Sequence, residues 1–163
     1  MPLSDYTVTF SEVMKLLGGP RNVGGRVRTF LDLHRALVVG MRFDALPVFL
    51  DGLEALSPDV ALTQLGIRGS DRRLRQYRHL PHKLTSYESD NLWVMAEMLA
   101  LTAKALGSRV EAERWLATPV QLEKSGSRSA PDGRAPFALL TTSPGRAVAM
   151  KLLSSVLDED GRQ

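Results

Sequence analysis

The chain has no cysteine among its 163 residues. That absence excludes a disulfide scaffold, a thiolate zinc site and a cysteine nucleophile. No apolar run approaches the roughly 20 residues that a membrane-spanning helix needs. The opening stretch, Met1–Glu12, carries neither the basic nor the apolar region of a secretion signal, so the cytoplasm is the expected location and no membrane partner is expected. Short runs of alternating polarity bounded by hairpin turns are also missing, which argues against a sheet. The signatures of catalysis are equally thin. There is no glycine-rich phosphate loop after a strand and no histidine–carboxylate grouping at useful spacing, and Ser125, Ser127 and Ser129 sit in a polar loop without a paired base. No enzyme activity, metal or cofactor is expected.

What the sequence does have is an ordinary globular composition, 44% apolar and 24% charged, in a chain long enough for one large domain or two small ones. Charge is unevenly placed. Residues 1–83 hold 12 Lys and Arg against 8 Asp and Glu, whereas residues 84–163 hold 9 against 10. Within Arg68–Lys83 there are six basic residues and a single acid, Asp71. Such a patch is an electrostatic footprint for a polyanion, and a merely solvated face is the competing explanation.

The central feature is Leu84–Leu106. Thr85 and Glu88 have capping-box spacing, and Gly107 can take the left-handed conformation that ends a helix. Asp90, Glu97 and Lys104 recur every seven residues and form one narrow polar stripe. Leu92, Trp93, Val94, Met95, Met98, Leu99, Leu101 and Leu106 cover most of the rest. A helix with a polar stripe, rather than an apolar one, is expected to lie centrally or between subunits.

Before it, Thr9 and Glu12 form another capping box for a short helix that Gly18-Gly19-Pro20 ends. Val27, Phe30, Leu31, His34, Leu37 and Val38 predict a helix up to Gly40, with His34 packed in the core rather than acting as a ligand. Leu46, Phe49, Leu50, Leu53 and Leu56 predict a helix over Phe43–Leu56. Ser57-Pro58-Asp59 starts a short helix, Pro58–Leu65, that stops at Gly66. Ser70 then caps a basic helix running to Arg78.

Two short helices joined by a glycine-containing turn, the second strongly basic, form a helix-turn-helix arrangement. Helical geometry turns Leu74 and Tyr77 toward the core and Arg72, Arg73 and Gln76 away from it, with Arg75 and Arg78 on the flanks. Arginine forks onto guanine, glutamine onto adenine, and flanking arginines suit phosphates. Arg68, Ser70, Arg72, Arg73, Arg75, Gln76 and Arg78 are therefore the candidate DNA contacts. His79-x-x-His82 lacks the further ligands zinc requires and is expected to be linker. Helix-turn-helix proteins usually bind DNA as dimers, and the apolar central helix is a candidate interface.

Beyond the central helix, Ser108–Ala117 reads as a short helix with Val110, Ala112, Trp115 and Leu116 inward, ended by Thr118-Pro119. Residues 120–135 are a polar loop, and Pro136–Leu140 a brief helical turn. Thr142-Ser-Pro-Gly145 caps a last helix, Arg146–Leu157, with Val148, Leu152, Leu153 and Val156 on its apolar side. Asp158–Gln163 is expected to be a frayed, solvated tail.

This second half resembles the Xre/MbcA/ParS family of bacterial antitoxins in its toxin-binding domain. The residues that carry the resemblance are Leu84-Thr-x-x-Glu88-Ser89-x-x-Leu92, Ala112-x-x-Trp115-Leu116 with Thr118-Pro119, Pro136-x-x-Leu139-Leu140, and Thr142-x-x-Gly145 with Val148. The first half resembles the degenerate helix-turn-helix of the same family, except that Leu74 follows Leu65–Ile67 about two residues late. The resemblance implies an all-α protein with an Xre-like helix-turn-helix DNA-binding domain at 1–83 and a helical toxin-binding domain at 84–163. It further implies an oligomeric antitoxin, a homodimer or larger, that represses its own operon and silences a partner toxin. That partner is often a RES-type, NAD-consuming enzyme, and release would follow proteolysis of the antitoxin. By their position in the C-terminal region, Arg146, Lys151, Ser154, Asp158 and Arg162 are the candidate toxin contacts. A stand-alone helix-turn-helix regulator is the alternative; it would account for the first half alone.

Overall fold

A computed structural model describes residues 2–67, 70–77, 82–119 and 135–162, with Ser70, Asp71 and Tyr77 described by their backbone only. Among the described residues the protein is all-α: nine α-helices, two 3-10 turns and no strand. An isolated antiparallel bridge pairs Arg42 with Lys83.

Local capping chemistry sets most helix starts. Helix α1, Phe10–Leu16, opens on the capping box of Thr9 and Glu12, with both reciprocal hydrogen bonds present. An unanticipated helical turn, α2 at Pro20–Val23, follows because Pro20 occupies its first position, where no N–H is needed. Helix α3 spans Phe30–Val39 and begins later than the periodicity from Val27 suggested. Its start is fixed by a second box, in which Asp32 takes the place of the usual glutamate and accepts from Thr29 N at 3.1 Å.

The helix expected over Phe43–Leu56 is only Ala45–Asp51, α4. Its C-cap is Gly52, and the chain after it is held from outside. The fully buried Glu113 carboxylate accepts from Glu54 N at 3.0 Å and from Ala55 N at 2.8 Å. Those amides therefore serve a distant acceptor instead of continuing the helix. Helix α5, Pro58–Leu65, ends on Gly66 in the left-handed conformation. Helix α6 is Ser70–Tyr77.

Helix α7, Ser86–Leu106, is the hub. Leu92, Trp93, Met95, Ala96 and Leu99 are buried, and α1, α3, α5, α8 and α9 all pack against it. It lies at the centre, as its narrow polar stripe implied. That stripe is satisfied within the chain at both ends. Lys104 Nζ reaches Glu12 and the Thr7 carbonyl, and Asp90 accepts from Arg146. Asn91 donates to the Leu65 carbonyl at 3.3 Å.

Helix α8, Arg109–Ala117, buries Ala112, Glu113 and Leu116, whereas Val110 and Trp115 are only half-buried. The 3-10 turn Pro136–Leu139 inserts Phe137 into the core. Helix α9, Ser143–Asp160, runs three residues past the expected stop at Leu157. Its last turns are anchored by the buried Leu153 and Leu157, and it also contacts the 3-10 turn Leu3–Asp5. The tail is helical through Asp160, contrary to the frayed expectation.

A second correction concerns α3. His34 is exposed rather than packed in the core. Phe30, Leu31 and Val38 are 80%, 55% and 56% exposed, and the residue that enters the core is Leu33. Periodicity located the stripe but not the side that has a neighbour.

Candidate nucleic-acid interface and partner surface

Helix α6 carries the basic residues. Leu74 packs against the core as its position required, and Arg72, Arg75 and Gln76 are exposed. Arg73 is not turned outward with them. It lies about 100° round the helix from Leu74, on the flank of the packed side. From there its guanidinium forks onto Glu88 of α7 at 2.6 and 3.0 Å and sits over the Phe43 ring, 5.5 Å from the centroid. Glu88 is 8% exposed. Burial alone would push its carboxyl up, but the Arg73 guanidinium and the Thr85 N–H together hold it below the ordinary value. Glu88 thus closes the capping box of α7 and fastens α6 to it. Arg68, Arg78 and His79 lie outside the described residues, as do residues 120–134 of the polar loop; Ser70 is described by its backbone only.

The next residue along, Ser89, is fully buried, and its hydroxyl accepts from Met41 N at 2.9 Å. The Leu84 N–H donates to the Met41 carbonyl and Phe43 N–H to the His82 carbonyl, each at 2.8 Å. The start of α7 is therefore stitched to the α3–α4 junction by backbone and side chain together.

On α9, Arg146 is also turned inward. Its Nε donates to the Leu140 carbonyl at 2.8 Å and its terminal nitrogen to Asp90 at 3.2 Å. The local backbone explains why it can. Gly145 N donates to Thr142 Oγ1, and a Cβ at Gly145 would collide with the Leu139 carbonyl oxygen. Only glycine lets the first turn of α9 lie against the preceding 3-10 turn. Lys151, Asp158 and Arg162 are exposed and Ser154 half-buried. Spacings of three and seven residues place Lys151, Ser154 and Asp158 on one side of α9, away from Arg146, and Arg162 lies in the turn just past its end.

Sequence reasoning passed over Glu113, which ties α8 to the α4–α5 connection from a sequence distance at which no local pattern gives a signal. It also passed over a basic pocket beside the α2–α3 loop. Among the described residues no group of three or more histidines and carboxylates is placed to hold a metal, and no helix is long and apolar enough to cross a membrane.

Fold and surfaces together define a class: an all-α protein with a basic helix and a charged C-terminal helix clamped to one central helix. No family model and no curated protein matches the sequence.

Proposed function

We propose that the protein is an antitoxin of the Xre/MbcA/ParS type, binding a cognate toxin through its second half and operator DNA through α6. One observation carries the reading. Most of the residues on which the resemblance rests cap or pack the helices of the second half or tie it to the first. Thr85 and Glu88 cap α7, Ser89 holds Met41 N, and Leu92, Ala112, Leu116 and Leu140 form core. Thr142 and Gly145 shape the start of α9. A pattern whose residues serve packing in this order is consistent with a shared domain architecture.

The DNA part is supported by the exposure of Arg72, Arg75 and Gln76 on a helix that follows the glycine-ended α5. The toxin-facing part assigns Lys151, Ser154, Asp158 and Arg162 as contacts, with Arg146 as a positioning residue that holds α9 in place. The partner is a toxin of the RES-type, NAD-consuming class, and the antitoxin acts as a dimer or larger oligomer in the cytoplasm.

The decisive test is co-expression of the full chain with the product of the neighbouring reading frame, scoring growth and co-purification. A neighbour that is toxic alone, harmless in the pair and co-eluting is the expected result. A harmless neighbour with no co-elution overturns the antitoxin assignment and leaves the stand-alone regulator. Replacing Arg72 and Gln76 with alanine should abolish operator binding and spare neutralisation; loss of both would refute the division of labour.

A further inference from the structure

The α2–α3 loop, the far end of α3 and the Arg42–Lys83 bridge enclose a pocket of about 280 Å³. Arg26, Arg35, Arg42 and Lys83 line it, from four separate stretches of chain. Gly24 and Gly25, both at positive φ, form part of the wall and leave it without side chains. Among the described residues Arg26, Arg35 and Lys83 form no salt bridge. Arg42 reaches Asp44 at 3.4 Å through one terminal nitrogen, but its buried Nε has no partner. The acid among the lining residues, Asp32, is already engaged. The backbone N–H groups of Arg28 and Thr29 donate to it at 3.1 Å each and, with the nearby charge of Arg35, hold its carboxyl below the ordinary value.

Cations placed directly opposite one another in an antiparallel pair repel, and a buried guanidinium nitrogen without an acceptor is costly. Arg42 and Lys83 are such a pair and Arg42 Nε is such a nitrogen. An anion in the pocket offsets the repulsion between the two opposed cations. Four converging donors on flexible stems and an open, glycine-walled mouth suit a tetrahedral oxyanion better than a flat carboxylate. We infer that this pocket binds a phosphoryl group, carried by a free nucleotide or by a nucleic-acid backbone. The inference stands on the pocket and is independent of the antitoxin assignment.

Calorimetric titration of the full chain with inorganic phosphate, ADP and a short DNA duplex tests it, using R35E and K83E separately. K15E, at an exposed residue of α1 that does not line the pocket, changes the net charge by the same amount and is the control. Both pocket variants should weaken binding about tenfold, and K15E less than twofold. If phosphate or ADP binds at one site and is lost, the group is a free phosphate. If only the duplex binds, and each variant lowers the salt slope by about one, the group belongs to nucleic acid. Equal weakening by K15E, or no binding of any probe, overturns the inference. The charge-neutral R26Q/R35Q pair, checked by thermal unfolding, keeps the test valid if a reversal fails to fold.

Discussion

Two arginines, Arg73 on α6 and Arg146 on α9, hold the two outer helices to the same hub. Their acceptors, Glu88 and Asp90, are two residues apart on α7. That spacing puts them about 200° apart round the helix, so the clamps sit on opposite sides. The clamps are not equivalent. The side chains of Arg73 and Glu88 are 21% and 10% exposed and share two hydrogen bonds, whereas those of Arg146 and Asp90 are 31% and 50% exposed and share one. Similar chemistry therefore has different worth: a fork removed from water is strong, and a half-solvated contact is screened.

The largest expected effect comes from breaking the stronger clamp. R73A leaves the buried Glu88 carboxylate with only the Thr85 amide. Removing one partner of a buried pair costs about 3–5 kcal/mol, and the retained amide keeps the expectation near the lower value, about 3 kcal/mol. Urea unfolding should register the loss as a lower midpoint with an unchanged slope. If R73A unfolds within about 0.5 kcal/mol of the parent, α6 is not fastened through Glu88 at all. Next in size is G145A. Its methyl group would strike the Leu139 carbonyl and force α9 away from the 3-10 turn. Overpacking of this kind costs about 2 kcal/mol, readable as a drop in thermal midpoint, while G161A at the far end of α9 should be nearly neutral.

Which of these features the sequence made legible depends on how local their causes are. The capping boxes at Thr9 and Thr85 lie within four residues and were readable, and so was the central place of α7. The box at Thr29 escaped because aspartate stands where glutamate is usual. Arg73 and Arg146 looked like contact residues because their acceptors are 15 and 56 positions away. Likewise α3 was recognisable as amphipathic, but the exposure of Phe30 and His34 depends on where neighbouring helices lie, which periodicity does not encode.

Acid titration sharpens the comparison by probing the stronger clamp through Glu88. The Glu88 carboxyl is held below its ordinary value of 4.5. A depressed folded pKa contributes stability above the unfolded value and loses it as pH falls through the folded one. The clamp should therefore hold at pH 7 and weaken below about pH 4.5, with E88Q flattening that part of the profile. Glu97, which borders a pocket with Phe10, Phe30 and Trp93 and is itself partly exposed to solvent, has the opposite sign and a small effect. Desolvation raises its carboxyl, with Arg146 and the Trp93 indole pulling it down. Its ionised form costs stability at neutral pH, and that cost disappears as pH falls through the raised value. E97Q should therefore be more stable than the parent at pH 7 and indistinguishable from it in acid.

The smallest effect is expected at the weaker clamp, and it is the most informative about function. R146A removes one solvent-screened ion pair and one bond to the Leu140 carbonyl. Exposed pairs are worth about 0.2–1 kcal/mol, so global stability should fall by less than about 1 kcal/mol. The consequence should be local. Amide exchange in the first turns of α9 should quicken, while the segment around Leu153 and Leu157 stays protected. Toxin neutralisation in R146A then separates two roles. Partial loss that R146K fails to restore, because lysine has a single nitrogen and cannot serve Leu140 and Asp90 from two separate ones, fits a positioning residue. Complete loss with unaltered exchange would mean that Arg146 meets the partner directly, and its contact with Asp90 would then have to open on binding.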